Sequence, residues 1–289
     1  MPVMMIGEAR IDRVEELRIP NKISYFTHDE ELIAANRHWL QPHFLDDEGH
    51  FDLVFQSFII EVGGRVVLLD PCTGNGKLHP VPFFDMLEVP WIERIHDCGY
   101  RPEDIDFVVC THLHHDHCGW NTMLRDGKWV PTFARARYIM QQVEYDSWRA
   151  ADRELPPDHL NIGVFERSVD PVVRAGLVDF ASGSRRLTPE LSVEIAPGHT
   201  FGHQLLRLES AGEKAFFTGD CYHHPIQLVQ PSMMFGDCDD QQKLVETRRR
   251  IVELSVTHNA PLIAAHACAP YAVRAMRGDD RVLHFATGV

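Results

Sequence analysis

The sequence predicts a single mixed α/β domain, and three observations predict it. Short apolar segments with strand periodicity alternate with segments of helical periodicity, the pattern of layered α/β architectures. Histidines and acids recur directly after several of those strands, where α/β proteins place ligand sites. No linker, internal repeat or low-complexity segment divides the 289 residues, a length that suits one large domain.

Residues 1–50 read as a polar N-terminal extension, rich in His and acids, with one short helix at 29–39. From Leu53 to Val62 apolar side chains fill both alternating faces, which marks a buried strand. Gly63-Gly64 is a turn signal and Arg65–Asp70 a second strand, so the pair reads as a β-hairpin. The loop from Asp70 to Gly76 is glycine-rich but lacks the lysine and hydroxyl spacing of a phosphate-binding loop. A helix at Trp91–Cys98 stops at Gly99, and a strand follows at Asp106–Cys110. Tyr138–Met140 is a short strand, and Glu144–Arg153 is a helix that ends before Pro156-Pro157. Residues 154–178 read as an irregular or helical insertion. Leu191–Ala196, Gln204–Leu208 and Ala215–Thr218 are strands joined by turns. Asp239 or Asp240 caps a helix to Thr257, with Leu244, Thr247, Ile251 and Leu254 on one face. Leu262–Ala265 is the last clear strand.

Charge narrows the functional classes. The chain carries 28 basic and 42 acidic side chains, a net charge of −14. That excess argues against a nucleic-acid binder, which gathers Lys and Arg against phosphates, and against docking on an anionic membrane. No secretory signal is read in residues 1–18. The longest uncharged stretch, Ser255 to Val273, is interrupted by Pro261, His266 and Pro270 and does not read as a membrane span. Seven scattered cysteines without a CxxC pair point to free thiols and a cytoplasmic location. Eighteen histidines stand out, because histidine is the commonest metal ligand.

Their densest run is His112-Leu113-His114-His115-Asp116-His117, directly after the strand at 106–110. Composition alone gives roughly 0.005 chance occurrences of such a pattern. One tight loop can turn His112 and His114 toward one ion and Asp116 and His117 toward a second. Neutral imidazole and carboxylate suit Zn²⁺, and also Fe, Mn or Co. His199, Asp220 and His266 each follow another predicted strand and supply the three ligands that the first loop lacks.

With these residues in place, the sequence resembles the metallo-β-lactamase superfamily. The resemblance rests on the run from Pro102-Glu103-Asp104-Ile105-Asp106 through Thr111 to Gly119, on Pro197-Gly198-His199-Thr200-Phe201-Gly202-His203, on Thr218-Gly219-Asp220 and on His266, and it covers roughly residues 53–270. It implies a four-layer αββα sandwich with two Zn²⁺ ions at the sheet edges, Fe or Mn being the alternatives. Carried over, His112, His114 and His199 would hold the first ion, and Asp116, His117 and His266 the second. Asp220 would bridge the two, with Cys221 as a rival thiolate. Asp70 would orient a ligand histidine or simply cap its loop. His203 is expected to be structural, and His115 to face solvent.

The resemblance further implies a metal-dependent hydrolase. Two ions about 3.5–4 Å apart share a water and bring its pKa toward about 7. Asp116, Asp220, His223 and His224 are candidates for proton delivery. Superfamily lactonases place a tyrosine three residues after the bridging Asp. Here that position is His223, with Tyr222 one residue earlier, and either is a candidate for oxyanion stabilisation. The true β-lactamases lack the bridging Asp, so β-lactam hydrolysis is not expected. The expected substrate is a small ester, lactone or related acyl compound. A phosphotriester or phosphodiester at the same centre is the first alternative, and a mononuclear iron persulfide dioxygenase the second. Residues 1–50 and 142–178 are candidate lid segments. Of the aromatics, Phe44, Phe51, Phe55, Phe83, Trp91, Trp120, Trp148 and Phe235 are candidates for pocket wall or core. A homodimer fits general precedent.

Overall fold

The computed structural model describes residues 4–236, 238–278 and 283–288. In chain order its strands are β1 (Met4–Ile6), β2 (Ala9–Lys22), β3 (His50–Val62), β4 (Arg65–Leu69), β5 (Phe107–Val109), β6 (Thr122–Arg125), β7 (Lys128–Pro131) and β8 (Arg137–Gln141). There follow β9 (Val178–Ala181), β10 (Arg185–Arg186), β11 (Leu191–Ile195), β12 (Gln204–Ser210), β13 (Glu213–Gly219), β14 (Leu262–Ala264), β15 (Ala272–Arg277) and β16 (Leu283–Thr287). The helices are α1 (Glu30–Leu40), α2 (Trp91–Asp97), α3 (His115–Cys118), α4 (Gln142–Ala151), α5 (Asp170–Arg174), α6 (Ile226–Val229) and α7 (Gln241–His258).

Two seven-stranded sheets result, ordered β1-β2-β3-β4-β5-β8-β9 and β10-β11-β12-β13-β14-β15-β16, while β6 and β7 form a separate hairpin. Strand alternation explains the layers. Val67 and Leu69 of β4 and Val109 of β5 share one core with Leu206, Phe217 and Ile263 of the second sheet. Leu68, Val108 and Tyr138 point the other way, into a core with Trp91 and Ile95 of α2. Phe216 and Leu262 do likewise on the second sheet, against Ile251 and Val252 of α7 and Leu40 of α1. Each sheet therefore buries both faces, one on its partner and one on helices, which is the αββα sandwich.

The segment read as an extension is part of the first sheet. β2 pairs antiparallel with β3 from Arg10 opposite Glu61 to Lys22 opposite His50. A bulge hides it from the sequence. Glu15 pairs with Gln56 and Leu17 with Phe55, so Glu16 has no partner and the period-two pattern slips there. The helix expected in this segment does form, with Asp29 accepting from the Leu32 amide at 2.9 Å. Asp240, rather than Asp239, caps α7 by accepting from the Lys243 amide at 2.8 Å.

Parallel pairing sets the location of the site. β4, β5 and β8 run parallel, as do β13 and β14, so their C-terminal ends gather at one edge of the sandwich. All seven cysteines are unpaired. No helix among the described residues is long and apolar enough to cross a membrane.

Lys77 lies in the long loop after β4 and is buried. Its Nζ donates to Thr122 O at 3.2 Å and Thr122 Oγ1 at 3.3 Å, and it sits 3.8 Å from the centre of the Trp129 ring. Burial pushes its pKa down to about 7, with Arg167 adding to the shift and Cys118 opposing it. A lysine with a lowered folded pKa penalises the folded state wherever its ammonium is charged. That penalty fades as pH rises above the folded pKa toward the unfolded one. Between about pH 7 and about pH 10, the wild type is therefore expected to gain urea stability relative to Lys77→Met. A difference that stays flat across that range would contradict it.

Candidate metal centre

Each candidate ligand stands just beyond a strand. The chain leaves β5 at Val109, turns through Thr111–His114 and enters α3 at His115. His199 lies in the loop between β11 and β12, Asp220 follows β13, and His266 comes two residues after β14. Gly219 lets Asp220 approach. It has φ of +50°, and a Cβ there would lie 2.6 Å from His203 Nε2 and 2.7 Å from Thr111 Oγ1.

These side chains converge. His114 Nδ1 lies 2.9 Å from His112 Nε2 and 3.0 Å from His199 Nε2. On the other side, Asp116 Oδ2 lies 3.6 Å from His117 Nε2 and 3.5 Å from His266 Nε2. Asp220 stands between the two groups. Its Oδ2 is 3.9 Å from His112 Nε2, 3.4 Å from His117 Nε2 and 3.5 Å from His199 Nε2. Its Oδ1 is 3.2 Å from His266 Nε2. Potential ligand atoms cluster as His112–His114–His199, His112–His117–Asp220 and Asp116–His117–His266. A fourth cluster, His199–Asp220–His223, places His223 Nε2 3.1 Å from Asp220 Oδ2.

The electrostatics fit bound cations. Burial pushes His112 and His199 well down and His114 to about 3, leaving neutral imidazoles with free lone pairs. Burial acts the same way on His117 and His266, but the Asp220 and Asp116 carboxylates outweigh it and raise both. Burial opposes ionisation of Asp220, yet His117 and His266 hold it well below the usual carboxylate range. Asp220 Oδ1 is buried without a hydrogen-bond partner among the described residues. Carboxylate oxygens buried among converging nitrogens call for positive charge, which a divalent ion held there would supply. The donor set suits Zn²⁺, and by ligand type Fe or Mn.

Neighbouring groups orient these candidate ligands. Asp70 Oδ2 lies 3.1 Å from His117 Nδ1, and Asp70 itself accepts from the Thr111 amide at 2.6 Å and the Thr111 hydroxyl at 2.9 Å. His266 Nδ1 lies 3.0 Å from Val54 O, which leaves Nε2 to face the centre. The Asp220 amide donates to His203 Nε2 at 3.1 Å, so His203 supports the Asp220 backbone.

Above the centre is a cavity of about 590 Å³. Leu53, Phe55, Phe84, Trp148, Leu160 and Phe235 form apolar walls, and no Lys or Arg lines it among the described residues. Ile19 and Asn21 reach it from β2, and Pro156 and Asn161 from the segment after α4. His223 lines it as well. Tyr222 does not. Its hydroxyl donates to Leu262 O at 3.0 Å inside the core under α7, because neighbours at a turn point to opposite sides. His224 is also committed elsewhere, with Nε2 2.7 Å from Phe44 O and Nδ1 accepting from the Ile226 amide at 3.2 Å. Burial pushes the Cys221 thiol up to about 12, and Cys221 joins none of the donor clusters among the described residues.

His115 departs from expectation. It is buried against Phe84 and His79, and it lines the cavity, because the short α3 turn rotates it inward. Phe55, Trp148 and Phe235 are cavity wall, whereas Phe44, Phe51, Trp91 and Trp120 are core. Sequence reasoning missed Phe84, Glu16, Glu144 and Asn161. Asn161 accepts from the His115 amide at 2.8 Å and donates to Leu113 O at 2.9 Å. Its polarity inside an irregular insertion gave no periodic signal.

Comparison with known proteins places the family and the fold. An N-acyl homoserine lactonase of Bacillus cereus is 26% identical over 112 residues, 39% of this chain and 36% of the relative. The lactonase AiiB of Agrobacterium fabrum is 27% identical over 129 residues, 40% of this chain and 44% of the relative. The matches thus span well under half of those relatives. Among solved structures, a probable metal-dependent hydrolase from Staphylococcus aureus superposes with a TM-score of 0.76 at 19% identity, covering 98% of both chains. AidC, a dizinc quorum-quenching lactonase, superposes with a TM-score of 0.74 at 15% identity over 99% of this chain and 96% of that one. These likenesses are of fold. The Metallo-beta-lactamase superfamily model matches residues 56–254, which carry every candidate ligand except His266, and the chain belongs to that superfamily.

Proposed function

We propose that the chain is a dinuclear metal-dependent hydrolase of small uncharged acyl compounds, esters or lactones. The observation that carries this reading is a set of seven converging donors, of which His114, Asp116, His199, Asp220 and His266 line a largely apolar cavity that no Lys or Arg lines among the described residues. Anionic substrates such as phosphodiesters, or β-lactams with their carboxylate, need Lys or Arg for recognition, and this wall offers none. The lactonase relatives support an acyl substrate. An uncharged phosphotriester fits the same wall and is the second reading. A mononuclear iron dioxygenase is disfavoured, since both halves of the donor set are present.

His112, His114 and His199 would hold one ion, Asp116, His117 and His266 the other, and Asp220 both. Two zinc ions held there would supply a hydroxide nucleophile at neutral pH and polarise the acyl oxygen. Asp220 sits within reach to accept the released proton. His223, 3.1 Å from Asp220 and open to the cavity, is placed to donate to the leaving oxygen or the developing oxyanion. The apolar walls, drawn from β2 and the segment after α4, hold the acyl chain and exclude bulk water.

Elemental analysis is expected to find two ions per chain, and a panel of esters and lactones to find turnover that a chelator abolishes. Asp220→Ala is expected to lower that turnover about a thousandfold, ~4 kcal/mol of transition-state stabilisation. A single iron with oxygen uptake would overturn the reading.

His223→Phe and Tyr222→Phe separate the two candidates for proton delivery. The first should cut kcat about a hundredfold. The second should leave kcat intact and lower the urea stability by about 1 kcal/mol, through the lost bond to Leu262 O. The reverse pattern would assign the role to Tyr222.

A further inference from the structure

Two buried carboxylates, Glu16 and Glu144, take no part in the chemistry proposed above. Each is surrounded by the same donors, two backbone amides and one indole. Glu16 Oε2 accepts from the Thr73 amide at 2.8 Å, and its Oε1 from the Gly74 amide at 2.9 Å and Trp120 Nε1 at 2.7 Å. Glu144 Oε1 accepts from the Leu113 amide at 2.9 Å and Trp148 Nε1 at 3.0 Å, and its Oε2 from the Gly202 amide at 2.9 Å. The Thr73 hydroxyl adds to the donors on Glu16 and the Thr200 hydroxyl to those on Glu144, and a buried carboxylate so held is costly to maintain as mere packing, since an apolar residue of like volume fills space without desolvating a charge.

The segments each one joins show what they hold. Leu113 lies between His112 and His114, and Gly202 lies three residues after His199. Glu144 therefore ties together the two loops that carry this triad, and its indole partner Trp148 packs edge-on against His114 at 5.3 Å. Glu16 is the unpaired residue of the β2 bulge, which turns its side chain inward. It joins the loop that begins at Asp70 to the turn that follows His117. The two stretches interlock through the Gly119 amide on Cys72 O at 2.6 Å and the Trp120 amide on Pro71 O at 2.7 Å. Only glycine fits at 119, where a Cβ would lie 1.8 Å from Thr73 O. What Glu16 fixes is thus the approach of Asp70 to His117, at 3.1 Å.

We infer that Glu144 and Glu16 are positioning residues with separate charges: Glu144 spaces the His112–His114–His199 triad, and Glu16, through Asp70, spaces the Asp116–His117–His266 triad. The inference rests on the metal-centre reading of the preceding subsection.

Glu16→Gln and Glu144→Gln test it in the full-length chain. Each keeps the volume but turns an amide NH₂ toward an N–H donor. The metal-free proteins are titrated with Co²⁺, followed by its visible absorption, and with Zn²⁺ against a competing chelator. His199→Ala and His266→Ala provide the spectrum of each half alone. Glu144→Gln is expected to weaken the first half by about tenfold to a hundredfold and spare the second, and Glu16→Gln to do the reverse. Should either fail to fold by circular dichroism, Trp148→Phe or Trp120→Phe removes one donor, with a smaller loss expected in the same half. Equal weakening of both halves in folded variants, or unchanged affinities, would overturn the assignment. A wild type that binds fewer than two ions would instead overturn the two-ion centre, and this division of roles with it.

Discussion

Asp220 concentrates the electrostatic problem that the fold solves. Its two oxygens lie within 3.9 Å of nitrogens on His112, His117, His199, His223 and His266, all buried. Imidazoles that are neutral in such a place present lone pairs to one another and to the carboxylate, so their closeness is repulsive unless positive charge stands among them. Two of the five, His117 and His266, are raised by the Asp220 and Asp116 carboxylates, which outweigh the opposing effect of burial. Everything around Asp220 works to keep this arrangement from relaxing. The Gly219 turn admits no side chain, His203 holds the Asp220 amide, and Val54 O fixes the His266 ring.

The cavity above extends the same logic to the substrate. A chain with 42 acids and 28 bases already repels anions at a distance. Local walls of Phe, Leu and Trp, without Lys or Arg among the described residues, add a desolvation penalty for any charged group that is not at the floor. On the proposed function, selectivity for an uncharged acyl compound would arise from what the walls omit as much as from what they contain. Asp158 and Asp239 on the lining point in the same direction, since they disfavour a substrate carboxylate further.

Much of this could be read from residue letters, and the rest failed for identifiable reasons. The candidate ligands stood out because metal coordination demands particular side chains, and because the His112–His117 run, His199, Asp220 and His266 each follow an apolar strand. β3 and β4 were legible because their apolar runs flank the Gly63-Gly64 turn, and α7 because Leu244, Thr247, Ile251 and Leu254 keep to one face. β2 was not, since the bulge at Glu16 shifts its inward face by one residue midway. The short β15 and β16 lie beyond the last clear strand and take their order from pairing with β14 and each other. His115 and Tyr222 were misplaced for a common reason: inside a turn, one residue of rotation decides between cavity and core, and neither spacing nor composition encodes it.

Glu16 and Glu144 mark a deeper limit. Their partners are mainly backbone amides, which every residue but proline possesses, so no motif announces them. Such carboxylates act where side-chain ligands cannot, by fixing the course of the main chain between ligands. Two loops that bring His112 and His199 within about 3 Å of His114 store repulsion that backbone entropy would readily release. Anchoring the amides of Leu113 and Gly202 on one carboxylate removes that freedom without adding a competing ligand to the centre. The same argument applies to Thr73 and Gly74 behind Asp70. A site assembled from loops needs restraint from outside its ligand set, and in this chain that restraint is borne by two acids that touch no ligand directly.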